Sequence, residues 1–553
     1  MPSARRPTDL TDVVVIGGGP AGSAAATLLA DQGWSVRLFE RDRFPREHVG
    51  ESLLPASLPI LDALGVLPAV QQAGFIEKYG ATMVWGTDAE PWSWYFRETN
   101  PEHPHAYQVW RPTFDKLLLD NAAKHGVDVR EEHRVIDVSF GPPGAELHVV
   151  TSSGVELDVK ARFVVDASGQ NGLIAHKLNL RQNDDYFQNL GIYAYFEDAA
   201  HLDPPDDGNI FIESYPEGWI WMIPLSGGRT SVGAVVDSRA GQTAIQDQGL
   251  AEFFQSQLAQ APRASALLTD AHRYDGPHVV RDWSYVAEPL IGEAHILVGD
   301  AACFVDPLFS SGVHLALSSA MLGAAFVTTA LRNPGMAAPA SEVYAELYMQ
   351  QYRHFRELAR LFYASNRSVD SYFWEARKIL EDDASTPREA FIRAVAGQPP
   401  QGYERVVLQR GDAPPAFAAD VRALEEERER RSAWWDQSLA VTATRQALYE
   451  ITPRRGAEVE VVPKPILEGG EFVWGRVLVT PNRREGTPVS SLIERLLELC
   501  DGQRPLREIL GLLIEGRDGE ESEQILSASM TAFKILFIDG AIGGIEENAE
   551  TTR

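Results

Sequence analysis

The chain has 553 residues, 44% of them hydrophobic and 23% charged, and a formal net charge of −28 at pH 7. That length exceeds one compact core, so two or three domains are expected, and the strong acidity disfavours nucleic-acid binding through a phosphate-neutralising surface. Only two cysteines occur, Cys303 and Cys500, which argues against a disulfide framework and for a reducing, cytoplasmic setting.

Residues 12–40 read as strand, turn, helix and strand. Val13-Val-Val-Ile16 is a β-branched run, too short for a signal-peptide core. Gly17, Gly19 and Gly22 then form G-x-G-x-x-G at the start of an Ala/Leu-rich helix, Ser23 to Gln32. The first glycine permits the tight turn, the second lets backbone approach a pyrophosphate, and the third lets helix and strand pack closely. Pro20 and Ala21 open the helix, whose free N–H groups suit phosphate. Glu40 ends the next strand about 20 residues on, where a carboxylate can bind ribose hydroxyls, with Arg41 beside it. Together these predict dinucleotide binding.

Gln108 and Arg111 precede a predicted helix, Asp115 to Ala122. Phe163 to Gly169 is a strand ending in a tight turn. Residues 187–236 are rich in aromatics with Gly/Pro/Asp punctuation and predict strands; with about 70–110 and on to 285 they make a β-rich substrate part. His295 to Ala302 is another strand and turn. The following stretch, Phe309 to Leu331, has no Asp, Glu, Lys or Arg. By length it could span a membrane, but its serines, threonines, His314 and Ala/Gly content favour a helix buried against a sheet, and no membrane partner is expected. The expected fold is α/β: a Rossmann-like domain interrupted by an inserted β-sheet.

Residues 340–385 predict an aromatic helical region reaching Tyr372, Phe373 and Trp374. Residues 396–416 read as linker, and Asp420 to about Trp435 as a charged, solvated helix. Beyond about 455, β-like stretches (456–467 and 472–480) precede helices over 488–500, 503–510 and 522–537, suggesting a small winged-helix-like module. The predicted division is 1–395, 396–454 and 455–553. No metal site is expected.

Gly299-Asp300 and Asp166-Ala-Ser-Gly169, each at a strand end, resemble the FAD-dependent aromatic hydroxylases. That resemblance implies FAD rather than NAD, with Asp300 on the ribityl chain and Gln108 and Arg111 beside the cofactor. Arg111 would offer a cation to the pyrophosphate; the alternative is a surface salt bridge. One dinucleotide fingerprint is visible, which implies a separate flavin reductase, although some single-fold hydroxylases bind NADPH without such a motif.

Three further strings resemble the flavin-dependent halogenases over roughly residues 12–375: Gly50-Glu-Ser-Leu-Leu-Pro55, Trp219-x-Trp221-x-Ile223-Pro224, and Asp306-Pro-Leu-Phe-Ser-Ser-Gly312-Val-His-Leu. The resemblance implies that FADH2, O2 and chloride or another halide yield hypohalous acid, which reaches a lysine beside the substrate. Lys78 matches that lysine, and burial would lower its pKa to suit the role. Halide needs an anion site of neutral donors; the backbone N–H groups of Ser311 and Gly312 at a helix start offer one, with Gly312 and Val313 also at the flavin. The alternative is a plain serine N-cap. Trp219 and Trp221 share one face of a strand, where the family reading has them close off the flavin and the bland reading is core packing. Asp282 is placed near the flavin ring, where a carboxylate could form an ester with its dimethylbenzene edge; the alternative is a turn cap.

Tryptophan halogenases carry a glutamate after Asp-Pro-Leu, where this chain has Phe309. The chain thus resembles the branch acting on phenols and pyrroles, often tethered to a carrier protein. Rival readings are an FAD-dependent aromatic hydroxylase, a flavin-linked reductase of prenyl chains, and a non-catalytic scaffold docking a carrier protein through residues 455–553.

Overall fold

A computed structural model describes residues 10–86, 90–363, 387–397, 430–436, 446, 448–480, 483–516 and 519–543. The chain divides into two units. One comprises Met1–Leu380, Ser385–Pro399 and Leu467–Phe472; the other comprises Glu381–Ala384, Pro400–Ile466 and Val473–Arg553.

The first unit opens with β1 (Thr11–Ile16), α1 (Pro20–Asp31) and β2 (Val36–Phe39). Two short helices, α2 (Leu58–Ala63) and α3 (Leu67–Gln72), lead to β3 (Ile76–Lys78), β4 (Gly80–Val84) and β5 (Trp92–Tyr95). β6 (Ala106–Gln108) runs into α4 (Arg111–Lys124), which starts at Arg111 rather than at the predicted Asp115. Pro112 explains the earlier start: its fixed φ and missing N–H suit a first turn. Then follow β7 (Asp128–Arg130), β8 (His133–Gly141), β9 (Gly144–Thr151), β10 (Glu156–Asp166) and α5 (Leu173–Lys177).

β7, β2, β1 and the second half of β10 lie parallel in that order. Val13, Val14 and Val15 have no exposed surface, as expected of a strand covered on both faces. β8 and β9 form an antiparallel hairpin on the first half of β10.

The inserted sheet contains β11 (Arg181–Glu197), β12 (Ile210–Tyr215), β13 (Gly218–Leu225), β14 (Arg229–Asp237) and, after α6 (Ser238–Gln248), α7 (Leu250–Leu258) and α8 (Pro262–Leu267), β15 (His272–Ala287). β16 (His295–Leu297) returns to pair with β10, and β17 (Cys303–Phe304) pairs with β15. Within the region expected to be β-rich, 187–285, the three helices α6–α8 are a correction. Their cause lies in β13. Trp219, Trp221 and Ile223 face the main core, while Ile220 and Met222 pack with Phe253, Phe254 and Leu258 of α7. A sheet apolar on both faces needs a second cover, and α6–α8 supply it.

β13 also depends on a missing side chain. Trp221 lies opposite Gly233 of β14, and a Cβ there would stand 2.1 Å from the indole. We expect Gly233→Val to cost about 3 kcal/mol or more through overpacking, measured as a lower midpoint of chemical denaturation; an unchanged midpoint would refute the packing argument.

The charge-free stretch is α9 (Gly312–Arg332), whose most apolar window is 89% buried. It packs on α1 and on α10 (Ala337–Tyr363). α11 (Pro387–Val395) completes the unit's described helices. Tyr372, Phe373, Trp374, the predicted linker beyond 397 and most of the charged helix lie outside the described residues. The Leu467–Phe472 turn belongs to this first unit: Gln32 donates to Gly469 O at 3.1 Å and Phe472 N to Thr329 Oγ1 at 2.7 Å.

The second unit contains β18 (Arg454–Arg455), most of β19 (Glu460–Glu468) and β20 (Glu471–Thr480), β21 (Arg483–Pro488), three helices, α12 (Ser491–Leu499), α13 (Leu506–Leu513) and α14 (Gly519–Ile538), and β22 (Ile542–Gly543). Ser490 caps α12 through Ile493 N. Trp435, Leu478, Leu496, Leu510, Phe533 and Phe537 belong to a separate core. Cys303 and Cys500 are free and buried in different units.

Candidate active site

The glycine-rich turn is built by close backbone approach. Gly17 has φ +102°, and a Cβ on it would lie 2.3 Å from Ala167 O; one on Gly22 would lie 1.9 Å from Gly17 O. Gly19 is the N-cap of α1 and has no side chain to satisfy the first-turn N–H groups, while Pro20 and Ala21 enter the helix. Those donors need an acceptor from elsewhere. Glu40, at the end of β2, accepts from Gly18 N at 2.7 Å and Asp42 N at 2.8 Å. Arg41 is exposed, 3.4 Å from Asp42.

Arg46 was not anticipated. Its Nη2 comes within 3.5 Å of where a Cβ on Gly19 would sit, and its Nη1 is buried without a hydrogen-bond partner. The only sequence signal was a cation six residues beyond Glu40.

Arg111 is not the surface ion pair entertained from sequence. It is buried, bonded twice to Asp115 (2.7 and 2.9 Å) and through Nη1 to Val49 O and Gly50 O (2.7 and 3.2 Å). Four of its five N–H groups are thereby engaged. It braces the Gly50–Glu51 turn. Glu51 has no exposed surface and accepts from Tyr195 OH at 2.9 Å; burial raises its pKa.

Gln108 donates to Gly208 O at 3.2 Å, but its Oε1 is buried without a partner. Asp166 accepts from Ser168 N and Ile174 N, clipping the turn after β10. Gly299 has φ +57° and donates to Ser319 Oγ at 2.8 Å. Burial pushes the Asp300 carboxyl up to about 6, opposed by the Arg111 and Arg181 guanidinia. Asp282 pairs with Asn189 in register across β15 and β11; its side chain lies outside the described residues.

These features fit a flavin dinucleotide. The loop admits no Cβ at Gly17 or Gly22, and among the described residues Gln108 Oε1 and Ser311 Oγ are buried without hydrogen-bond partners, while Arg46 Nη1 has an ion pair with Asp115 at 3.5 Å but no hydrogen bond. Such orphans are costly unless something outside the polypeptide completes them.

Lys78 ends β3, which pairs with β6 and so fixes Lys78 opposite Ala106. It is 2% exposed. Its Nζ donates to Leu53 O at 3.1 Å and stands 5.6 Å from the Phe96 ring centre. Burial alone lowers its pKa to about 7. It shares a cavity with Leu54, Trp94, Phe96, Leu308, Phe309 and Ser310, among others. Space for a water-sized body there is about 10 Å³, roughly one water molecule. Val395 of α11 also lines it, while Phe391 of that helix is fully buried, its ring centre 5.1 Å from Trp94.

The structure therefore brings Lys78 to the turn preceding α9. Trp219 and Trp221 do not line that cavity. Their rings, 6.0 Å apart, are buried; Trp221 Nε1 donates to Ser231 Oγ at 3.2 Å and Trp219 Nε1 to Tyr363 OH at 2.6 Å. Tyr363 OH donates to Asp306 Oδ2 at 2.7 Å, and Asn189 Nδ2 donates to the same oxygen at 2.9 Å. Burial raises the Asp306 carboxyl to about 6 against these donors.

At the start of α9, Ser311 makes no side-chain cap hydrogen bond, contrary to the plain N-cap alternative; its Oγ is buried without a partner. Gly312 and the buried Val313 are the first two helical residues. Among the described residues, Glu47, Asp275 and His278 also bring ligand-type atoms within 4.8 Å of one another, away from this turn in sequence.

The family model described as "Tryptophan halogenase" matches residues 97–410, and that of an FAD dependent oxidoreductase matches 12–177. The chain is 36% identical to a Tryptophan 2-halogenase of Chondromyces crocatus, over 68% of this chain and 72% of the relative. It is 32% identical to the 1H-pyrrole-2-carbonyl-[peptidyl-carrier protein] chlorinase of Pseudomonas fluorescens, over 67% and 87%. Among solved structures, the myxobacterial chondrochloren halogenase CndH superposes with TM-score 0.62 and 40% identity, covering 74% of this chain and 92% of that one. The flavin-dependent halogenase CmlS superposes with TM-score 0.71 and 28% identity, covering 97% and 96%.

Proposed function

Since this chain belongs to the flavin-dependent halogenases, oxidoreductases that use FADH2, halide and O2, we propose that it chlorinates an electron-rich aromatic ring, a phenol or pyrrole, free or tethered to a carrier protein, in natural-product biosynthesis. The observation that carries this reading is Lys78: buried and, among the described residues, without an anionic partner and the only charged residue lining its cavity. A free amino acid brings a carboxylate and an ammonium, and burying either unpaired is costly. An apolar wall with Phe309 after Asp-Pro-Leu suits a neutral ring better. The carrier-protein chlorinase among the relatives supports tethering.

Gly17, Gly19, Pro20, Ala21 and Gly22 would hold the FAD pyrophosphate, with Glu40 on a ribose and Arg41 at the rim. Gln108, Arg111, Asp282, Gly299, Asp300, Gly312 and Val313 would line the remainder. Reduced FAD, when bound, would activate O2, and O2 would be the oxidant that turns chloride into hypochlorous acid, taking two electrons from the flavin and two from chloride. A separate flavin reductase is the expected source of FADH2. The N–H groups of Ser311 and Gly312 hold chloride, because neutral donors bind an anion without a full counter-charge. Near pH 7 part of the Lys78 population is a free amine. The amine reacts with hypochlorous acid to give an N–Cl bond and water, and the ring carbon then takes the chlorine as its proton returns to nitrogen. Trp219 and Trp221 lie on the same sheet face as the cavity-lining Ile212, which pairs with Trp221 across β12 and β13, and from there would close off the flavin.

The test is turnover in air with FAD, a flavin reductase and NADH, offering a simple phenol, a carrier-bound pyrrolyl or hydroxyphenyl acyl group, and free tryptophan. A chloride-dependent chlorine isotope pattern on the phenol or acyl group is expected. Chlorination of tryptophan alone would reject the substrate class, and oxygen insertion regardless of chloride would move the chain to the hydroxylases.

A further inference from the structure

The turn that presents Ser311 and Gly312 is conformationally demanding. Ser310 has φ +57°, a left-handed conformation uncommon for residues other than glycine. Short contacts hold it: Ser310 N donates to Pro307 O at 2.9 Å, Leu308 N to Asp306 Oδ1 at 3.0 Å, and Asp306 N to Ser284 Oγ at 3.0 Å. The conformation of the turn therefore depends on the orientation of one buried carboxylate. Its other oxygen is gripped by Tyr363 and Asn189, and Tyr363 in turn accepts from Trp219. Asn189 lies on β11, Trp219 on β13 and Tyr363 at the end of α10. Four residues distant in sequence thus form one buried chain from the tryptophan strand to the turn.

We propose that Tyr363 is a positioning residue for halide: its hydroxyl, clamped between Trp219 and Asp306, locks the Asp306–Ser311 turn so that the Ser311 and Gly312 N–H groups face the anion. The inference rests on the halide assignment made above. Two physical effects point the same way. A buried carboxylate that loses one donor must reorient or find another, and reorientation frees Leu308 N. The two donors also disperse the Asp306 charge, which would otherwise repel a nearby halide.

Tyr363→Phe keeps the ring and removes the hydroxyl. Bromide binding is read as a saturable change in the visible absorbance of the bound flavin, beside bromide KM and kcat with a phenol. We expect the bromide Kd and KM to rise about tenfold, the scale of losing one hydrogen bond to a charged group, with the phenol KM and FAD content unchanged. Trp219→Phe, which removes the donor to Tyr363, should shift bromide in the same direction, and it decides alone if Tyr363→Phe fails to retain FAD. Ser311→Asp separates the two ideas, since a carboxylate placed at the site should repel bromide. If Ser311→Asp weakens bromide while both aromatic variants bind it within about twofold of the parent, the coupling is overturned and the halide site stands. If Ser311→Asp leaves bromide binding unchanged with FAD retained, the halide assignment and the proposal fall together.

Discussion

Lys78→Ala is expected to lower chlorination by at least about 10³-fold while FAD content stays at the parental level. The Lys78 amine bonds to Leu53 O and stands over the Phe96 ring, away from the glycine-loop residues, so loss of cofactor is not expected. The same lysine makes a second, opposite prediction for stability. Its folded-state pKa is near 7 against an ordinary 10.5, because burial penalises the ammonium and no carboxylate among the described residues offsets it. Between those values the unfolded chain holds a proton that the folded chain has released. Stability therefore rises with pH across that window, and the penalty is full below pH 7. Lys78→Met, apolar and of similar length, should stabilise the protein by a few kcal/mol at pH 6 and remove that slope. Denaturant midpoints at pH 6 and pH 9 check it: a Met variant less stable than the parent at pH 6 would mean that the lysine is not desolvated. For activity the sign follows from nucleophilicity, which belongs to the free amine. Turnover limited by Lys78 should rise through pH 7 as pH increases.

Gly22→Val is expected to abolish FAD retention, leaving purified protein colourless. A Cβ at Gly22 would lie 1.9 Å from the carbonyl oxygen of Gly17, with Gly17 itself wedged against Ala167 O. Neither contact involves a flexible side-chain end, so relief requires moving backbone on the β1–α1 turn. That turn also bears the free first-turn N–H groups of α1, and displacing them removes the pyrophosphate's donors. Absorbance at flavin wavelengths per mole of protein is the readout. A variant that folds and stays yellow would mean that the cofactor is held elsewhere.

Local features were readable from residue order. The glycines at 17, 19 and 22, with Pro20 behind them, specify a strand–turn–helix because steric limits act between near neighbours. Glu40 falls at a strand end by counting through that helix. Trp219 and Trp221 share a face because side chains alternate along a strand. The uncharged run at 309–331 declared a buried helix through composition. Other features depended on contacts between residues remote in sequence. Asp115 neutralises Arg111 one helical turn away, a pairing that sequence spacing permits without selecting it over a phosphate. The helices α6–α8 were hidden because β13 reads as an unbroken apolar run, and which of its faces needs a cover depends on what packs there. Asn189, Asp306 and Tyr363 meet across separations of 117 and 57 residues. A family motif marked the position of Lys78, but its lowered pKa arises from desolvation. Desolvation depends on every atom packed around the amine, and folding brings those atoms together from β3, β5, the Leu308–Ser310 turn and α11.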